Sequence, residues 1–399
     1  MIRLAEVAAA FLPQLEAQYG ERLLPGHHSA LSAIVRCRTE ECGTAAIHCH
    51  ACEHDDSFPL SCGHRACPQC QNEAVEHWLE RQRAKLLPVD YYPITFTLPA
   101  QLRALVYANQ REAYNLPIKL AWQTLAEFGL NDKTLKGKLG ATVVLHTHSR
   151  ALDFHPHVHI VVPAGAIDTV INRRRTKQGK FLFSEKALAK VFRGKWFQAM
   201  KDRGWSVKAN LPRKWIVDCE WVGNGEKALI YLGRYLYRGV PAEKNILRCE
   251  DGQVTFRYTE NSGATKTRTL AGADFLRLLL QHVLPKGLRR TRDYGFLHGN
   301  CKRLIQRLHL LLRICPPKPT EKPPLCCKHC GASVTLTVIP YPMNRKPPDG
   351  SQAMDREILM QSPETLSPPS IGLSRPRGVR SKKKRISDPN LVEKHRIDA

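Results

Sequence analysis

Residues 146 to 165 read HTHSRALDFHPHVHIVVPAG, and this stretch decides the fold. Side chains at i and i+2 of a strand share a face. His157 and His159 therefore point one way, and Val158 and Ile160 the other. Their roots lie about 7 Å apart on such a strand, close enough for two imidazoles to converge on one metal ion. The apolar run that follows, 160–163, marks a central strand and so a rigid base for ligands. Upstream, 141–148 (ATVVLHTH) is a second apolar strand, eight residues before His157, and the two read as antiparallel neighbours. That pairing offers His146 or His148 as a third ligand. His155 is a further candidate, although Pro156 breaks the alternation. An isolated H-x-H strand usually carries no metal, but five histidines within fourteen residues on two neighbouring strands point to a metal site.

Working outward, 91–98 (YYPITFTL) reads as a strand and 214–222 (KWIVDCEWV) as a third central strand. Helical patterns cover 71–87, ending before Pro88, 100–129 with an interruption at Pro117, 184–203 capped by Ser184, and 273–283. Strands 254–258 and 266–270 form a hairpin around 261–263. Residues 1–36 are helical. Their amphipathic spacing and the acids Glu6, Glu16 and Glu21 distinguish them from a signal peptide.

The segment 226–238 (EKALIYLGRYLYR) is a helix despite Gly233. Tyr231 and Tyr235 are i and i+4, so both hydroxyls project from one face, while Leu232 and Leu236 pack inward. Arg234 and Arg238 make their own i, i+4 pair, suited to gripping a phosphate. Taken alone this is an aromatic stripe. Beside a histidine-bound metal it becomes a nucleophile site, because a divalent cation can polarise a scissile phosphate for attack by a phenol whose ordinary pKa is about 10. A phosphotyrosine keeps the bond energy, so rejoining needs no ATP, and the chain has no G-x-x-x-x-G-K-[ST] loop for a nucleotide.

Seven of the 14 cysteines lie between Cys37 and Cys70, a polar segment that needs a metal to hold a shape. Cys49-x2-Cys52 and Cys67-x2-Cys70 are two knuckles 14 residues apart, the spacing of a zinc ribbon. Cys37, Cys42, Cys62 and His64 supply donors for a second zinc. Cys327-x2-Cys330 is a single knuckle, with Cys326, His329 and Cys315 nearby. The formal charge of +25 favours nucleic acid as partner. Arg36, Arg38 and Arg65 within the cysteine-rich segment, and Lys286, Arg289, Arg290 and Arg292 further on, suit phosphate contact. No apolar run reaches the roughly 20 residues of a membrane span.

In combination these motifs resemble the insertion-sequence-91 type of rolling-circle transposase. His157-Val158-His159 looks like the HUH motif, U being a bulky apolar residue. The matching order is SCGHRACPQCQ (61–71), PITFTLP (93–99), the histidine stretch, YLGRYLYRG (231–239) and HVLPKGLRRTRDYGFL (282–297). The resemblance implies an α+β fold of HUH endonuclease type, with a central antiparallel sheet and flanking helices behind a small helical and zinc-ribbon module. It implies Mg²⁺ or Mn²⁺ at His157 and His159, and a nucleophile at Tyr231 or Tyr235; Arg234 and Arg238, which bracket Tyr235, favour it for the first cut. It implies a 5′-phosphotyrosine intermediate on single-stranded DNA at transposon ends and target, in a bacterial cytoplasm at the nucleoid. Tyr237 has no counterpart. Expected domains are 1–88, helical and zinc-binding; 89–312, catalytic; 313–340, a small knuckle; and 341–399, a basic, Pro- and Ser-rich disordered tail. A replication initiator or relaxase shares the chemistry, and a non-catalytic zinc-ribbon DNA-binding protein shares the module.

Overall fold

The computed structural model describes residues 1–168, 173–236, 242–260, 262–317 and 324–339. Helices α1 (Leu4–Tyr19) and α2 (Pro25–Arg36) pack together and lead to a hairpin of β1 (Thr44–Cys49) and β2 (His54–Pro59). Then come α3 (Pro68–Arg83), β3 (Tyr91–Thr97), α4 (Arg103–Ala108) and α5 (Gln110–Asn131). The central pair is β4 (Lys138–His148) and β5 (Phe154–Pro163), followed by β6 (Gly165–Asp168) and β7 (Arg173–Thr176). Helix α6 (Glu185–Asp202), β8 (Val217–Cys219) and α7 (Gly225–Leu236) complete the sheet region. Beyond lie β9 (Ile246–Glu250), β10 (Gln253–Thr259), β11 (Thr265–Ala271), α8 (Gly272–Leu280), β12 (Thr291–Gly295), α9 (Lys302–Leu311) and β13 (Thr335–Ile339).

The main sheet runs β7-β6-β4-β5-β3-β8, with β12 on β4. Strand β5 lies between β4 and β3 and is antiparallel to both. Its period-2 alternation splits the molecule into two layers. Val158, Ile160 and Val162 are wholly buried with Ile118 and Leu125 of α5 and Phe192 and Trp196 of α6. On the opposite face Val161 and Val144 pack with Val75 and Trp78 of α3 and Ala228 and Leu232 of α7. Each such burial is worth about 1.5–3 kcal/mol, so the face of β5 is firmly specified and a one-residue slip would invert it. Arg83 of α3 and Glu226 of α7 form an ion pair at 3.0 Å, joining the two helices that cover the histidine face. The fold is therefore α+β, a central antiparallel sheet with flanking helices. At Gly295, φ is +59° and a Cβ would lie 1.7 Å from the Leu139 carbonyl oxygen, so only glycine lets β12 close on β4.

Several sequence expectations need correction. Residues 214–222 are not a central strand: the strand Val217–Cys219 lies at the sheet edge beside β3, extended by backbone bonds from the Glu220 and Val222 amides to the Pro93 and Tyr91 carbonyls, and Ile216 and Trp221 are exposed. Pro117 lies inside α5, and the helical stretch breaks instead at Asn109 (φ −117°, ψ 36°). Helix α3 begins at Pro68, earlier than 71, because a proline at the first turn gives up an N–H that would be unbonded anyway. The expected boundary at 88 does not separate cores. Leu4, Val7, Phe11 and Leu31 of α1 and α2 share one with Val254, Phe256, Phe275 and Leu276 of β10 and α8. Nor do residues 313–340 stand apart, since β13 pairs with β1, and Met1–Asn344 forms a single unit. The expected tail, 341–399, lies outside the described residues. No described helix is long and apolar enough to cross a membrane.

Candidate active site and metal centres

On the α3/α7 face of the sheet, His146 pairs with His157 across β4 and β5, and Val144 with His159. One nitrogen each of His146, His157 and His159 lies within 4.8 Å of the others, and all three rings are buried. Nδ1 of His146 is 3.0 Å from Nε2 of His157. Nδ1 of His157 donates to the His155 carbonyl at 2.6 Å, which leaves Nε2 with its lone pair toward the cluster. Burial is the first cause that pulls all three pKa values down, with neighbouring histidines adding to the effect on His146 and His159; His157 falls to about 4. Neutral imidazoles at neutral pH are the ligand form. Two ligands set at right angles about 2.1 Å from one ion are about 3.0 Å apart, so the His146–His157 spacing fits a divalent cation.

His148 stands outside this cluster. The β4–β5 register shifts between His146 and His148, turning the His148 ring so that Nδ1 meets the Ser149 carbonyl at 3.0 Å. Its ring lies 5.0 Å from that of His282, and its Nε2 is buried without a hydrogen-bond partner among the described residues. His155 is turned aside as well, accepting from Arg103 at 2.9 Å.

Helix α7 starts where Asn224 Oδ1 accepts from the Lys227 amide at 3.1 Å, and Leu232 buries its inner face. This sets half-buried Tyr231 over the cluster. Its Oη is 3.0 Å from Nδ1 of His159 and 3.3 Å from Oγ1 of Thr95, and Thr95 is itself 3.0 Å from the same nitrogen. Thr95 was not singled out in the sequence. The signal was present, since in PITFTL the threonines at 95 and 97 alternate with buried Ile94 and Phe96 and pair with His159 and His157. The side chains of Arg234 and Tyr235, and all of Tyr237 and Arg238, lie outside what is described.

The cysteines form two quartets, grouped differently from the sequence expectation. Cys67 and Cys70 join Cys37 and Cys62, while Cys49 and Cys52 join Cys327 and Cys330. Sulfur separations are 3.6 Å for Cys37–Cys70 and 3.5 Å for Cys62–Cys70. Zn–S bonds of about 2.3 Å in a tetrahedron place sulfurs about 3.8 Å apart, and a disulfide would need about 2.05 Å. Cys42 donates instead to the Arg36 carbonyl at 3.2 Å, and His64 Nδ1 accepts from the Ala66 amide at 3.2 Å, so neither completes a quartet.

Of the basic residues, Lys286, Arg289, Arg38 and Arg65 are exposed, and Arg65 also donates to the Leu288 carbonyl at 2.8 Å. Arg290 faces inward. Burial draws its pKa to about 10, still a cation at neutral pH, and its charge adds to the lowering of His146, His148 and His282. Arg292 bonds to Asn115.

Two family models match the chain, a transposase zinc-binding domain over residues 7–98 and a putative transposase over 140–304. They set the class: a transposase with an attached zinc-binding domain. The putative transposase y4qJ of Sinorhizobium fredii is 31% identical over 337 residues, 76% of this chain and 84% of that protein. The transposase for insertion sequence element IS801 of Pseudomonas savastanoi pv. phaseolicola is 27% identical over 354 residues, 77% of this chain and 82% of that protein. The chain belongs to this insertion-sequence-91/801 family of transposases.

Proposed function

We propose that the chain cleaves and rejoins single-stranded DNA through a tyrosine, mobilising an insertion sequence by rolling-circle transposition. The observation that carries this reading is the placement of the Tyr231 hydroxyl 3.0 Å from His159, at the edge of a three-histidine cluster. His146, His157 and His159 would hold Mg²⁺ or Mn²⁺. Such an ion offsets charge on the scissile phosphate, and three neutral imidazoles leave its own charge undiminished. Thr95 and Tyr231 both contact Nδ1 of His159 and so orient that ring.

Tyr231 supplies the nucleophile for one cleavage and Tyr235, one helical turn on, for the other. The Oη–P bond forms as the P–O3′ bond breaks. The phenol gives up its proton and the departing 3′ oxygen gains one, leaving a 5′-phosphotyrosine and a free 3′-hydroxyl. Attack by a 3′-hydroxyl on that linkage rejoins the strand and returns the phenol. Lys286 and Arg289 contact phosphate on the surface, and Arg234 and Arg238 are assigned to phosphate from their sequence spacing.

The test is cleavage of an end-derived oligonucleotide with Mg²⁺ or Mn²⁺, as a single strand and as a duplex. Metal-dependent cutting of the single strand, lost in His157→Ala/His159→Ala, is expected. Cutting that persists in chelator, or that favours the duplex, would refute the reading.

A further inference from the structure

The second cysteine quartet joins two segments far apart in the sequence. Cys49 Sγ lies 3.5 Å from Cys330 Sγ, and Cys52 Sγ lies 3.7 Å from Cys327 Sγ, a pair 275 residues apart in sequence. All four sulfurs fall within 4.8 Å of one another. The separations are close to the edge of about 3.8 Å of a tetrahedron with Zn–S bonds of about 2.3 Å. The local backbone is that of a metal knuckle. The Cys327 amide donates to the Ala332 carbonyl at 2.8 Å, and the Gly331 amide to the Cys327 carbonyl at 2.9 Å, with Gly331 at φ +76°. The His329 amide points at Cys327 Sγ, 3.4 Å away, as a donor toward a thiolate would. Cys326 turns out of the quartet toward the Pro324 carbonyl.

The β1–β2 hairpin beside these knuckles buries little of its own. Strands β13, β1 and β2 form three short antiparallel strands. In β1 only Ala45 and Cys49 are buried, and in β2 no residue is. A hairpin of two short strands that buries only two of its side chains is not stable in water unaided. An ion pair of Lys328 with Asp56 at 3.0 Å and a ring contact of His54 with His329 at 4.4 Å add only exposed, weak contacts. Cys327 and Cys330 lie beyond residue 304, outside both matched family models.

We propose that Cys49, Cys52, Cys327 and Cys330 bind a structural zinc ion that fastens residues 324–339 to the β1–β2 hairpin. The zinc-binding module is then discontinuous, begun before the catalytic sheet and completed after it, with a second zinc at Cys37, Cys62, Cys67 and Cys70. The proposal is independent of the strand-transfer chemistry.

Zinc per chain is measured after dialysis in the full-length His157→Ala/His159→Ala protein, so that the histidine cluster contributes no ion. Two zincs per chain are expected. Cys327→Ser/Cys330→Ser should leave one, Cys49→Ser/Cys52→Ser should leave one, and the fourfold serine variant should also leave one, because both pairs share an ion. Two zincs retained after Cys327→Ser/Cys330→Ser, or two lost in the fourfold variant, would overturn the assignment. Should a variant fail to fold, zinc X-ray absorption on the same His157→Ala/His159→Ala protein with every cysteine intact decides the matter. An all-sulfur shell of four is expected, and nitrogen or oxygen in the average shell would contradict it.

Discussion

Replacing His146 with alanine removes one of the three nitrogens that converge on the sheet face, while replacing His148 removes a ring equally buried on the same strand but outside the cluster. The pair forms an internal control, because their relative exposures are 7% and 6% and the packing losses should match. The metal losses should not. Changing a residue that merely supports a ligand costs 10–100-fold in affinity, so loss of a ligand should cost at least about 100-fold, or ~2.7 kcal/mol. His148→Ala should stay within about threefold of the parent, well under 1.4 kcal/mol. Calorimetric titration with Mn²⁺ reads this directly. Thermal unfolding reads it again, since an ion at about 100 times its Kd adds about 2.7 kcal/mol to stability. His148→Ala should keep that Mn²⁺-dependent rise and His146→Ala should lose it. If both variants lose binding equally, or only His148→Ala does, the third ligand is misassigned and the β4 bulge does not select it.

Acid should destabilise the metal-free protein. Burial lowers His157 and His282 from an ordinary 6.5 to about 4, so their contribution is fully present above pH 6.5 and lost as pH falls toward 4. Each is worth about 3 kcal/mol over that window, and urea melts that stay flat from pH 7 to 4 would contradict the burial argument. Tyr231→Phe removes the hydroxyl that contacts His159 and Thr95 but leaves Thr95 on His159, so folding should weaken by only about 1–2 kcal/mol. A much larger loss in denaturant melts would make Tyr231 structural. Single-strand binding should lose affinity with salt, and Lys286→Ala/Arg289→Ala should reduce the log–log slope by about 1.4, at about 0.7 per phosphate contact; an unchanged slope would remove these residues from the interface.

The histidine face was legible because strand alternation is local. His157-Val158-His159 and the apolar 160–163 specify which side of β5 meets the core, and β5 lies as that pattern requires. The helix bearing Tyr231 was equally legible from its spacing. Choosing between His146 and His148 was not, because a register shift between them is created by pairing with β5 and leaves no mark in ATVVLHTH. The cysteine grouping is hidden in the sequence for a related reason. Knuckles 14 residues apart look like partners along the chain, yet each finds its complement elsewhere, Cys49-x2-Cys52 at the far end of the fold. The shared core of α1, α2, β10 and α8 arises from contacts across more than two hundred residues, which composition does not report.

A tyrosine of α7 should become covalently joined to DNA. Wild-type protein, incubated with Mn²⁺ and an end-derived single strand carrying label on its downstream portion, should yield a denaturation-resistant adduct. Protease digestion and mass spectrometry should then find the 5′-phosphate on Tyr231 or Tyr235, and Tyr231→Phe/Tyr235→Phe should form no adduct while still binding DNA. A labelled adduct surviving in that double variant, or a linkage mapped to any other residue, would contradict the account.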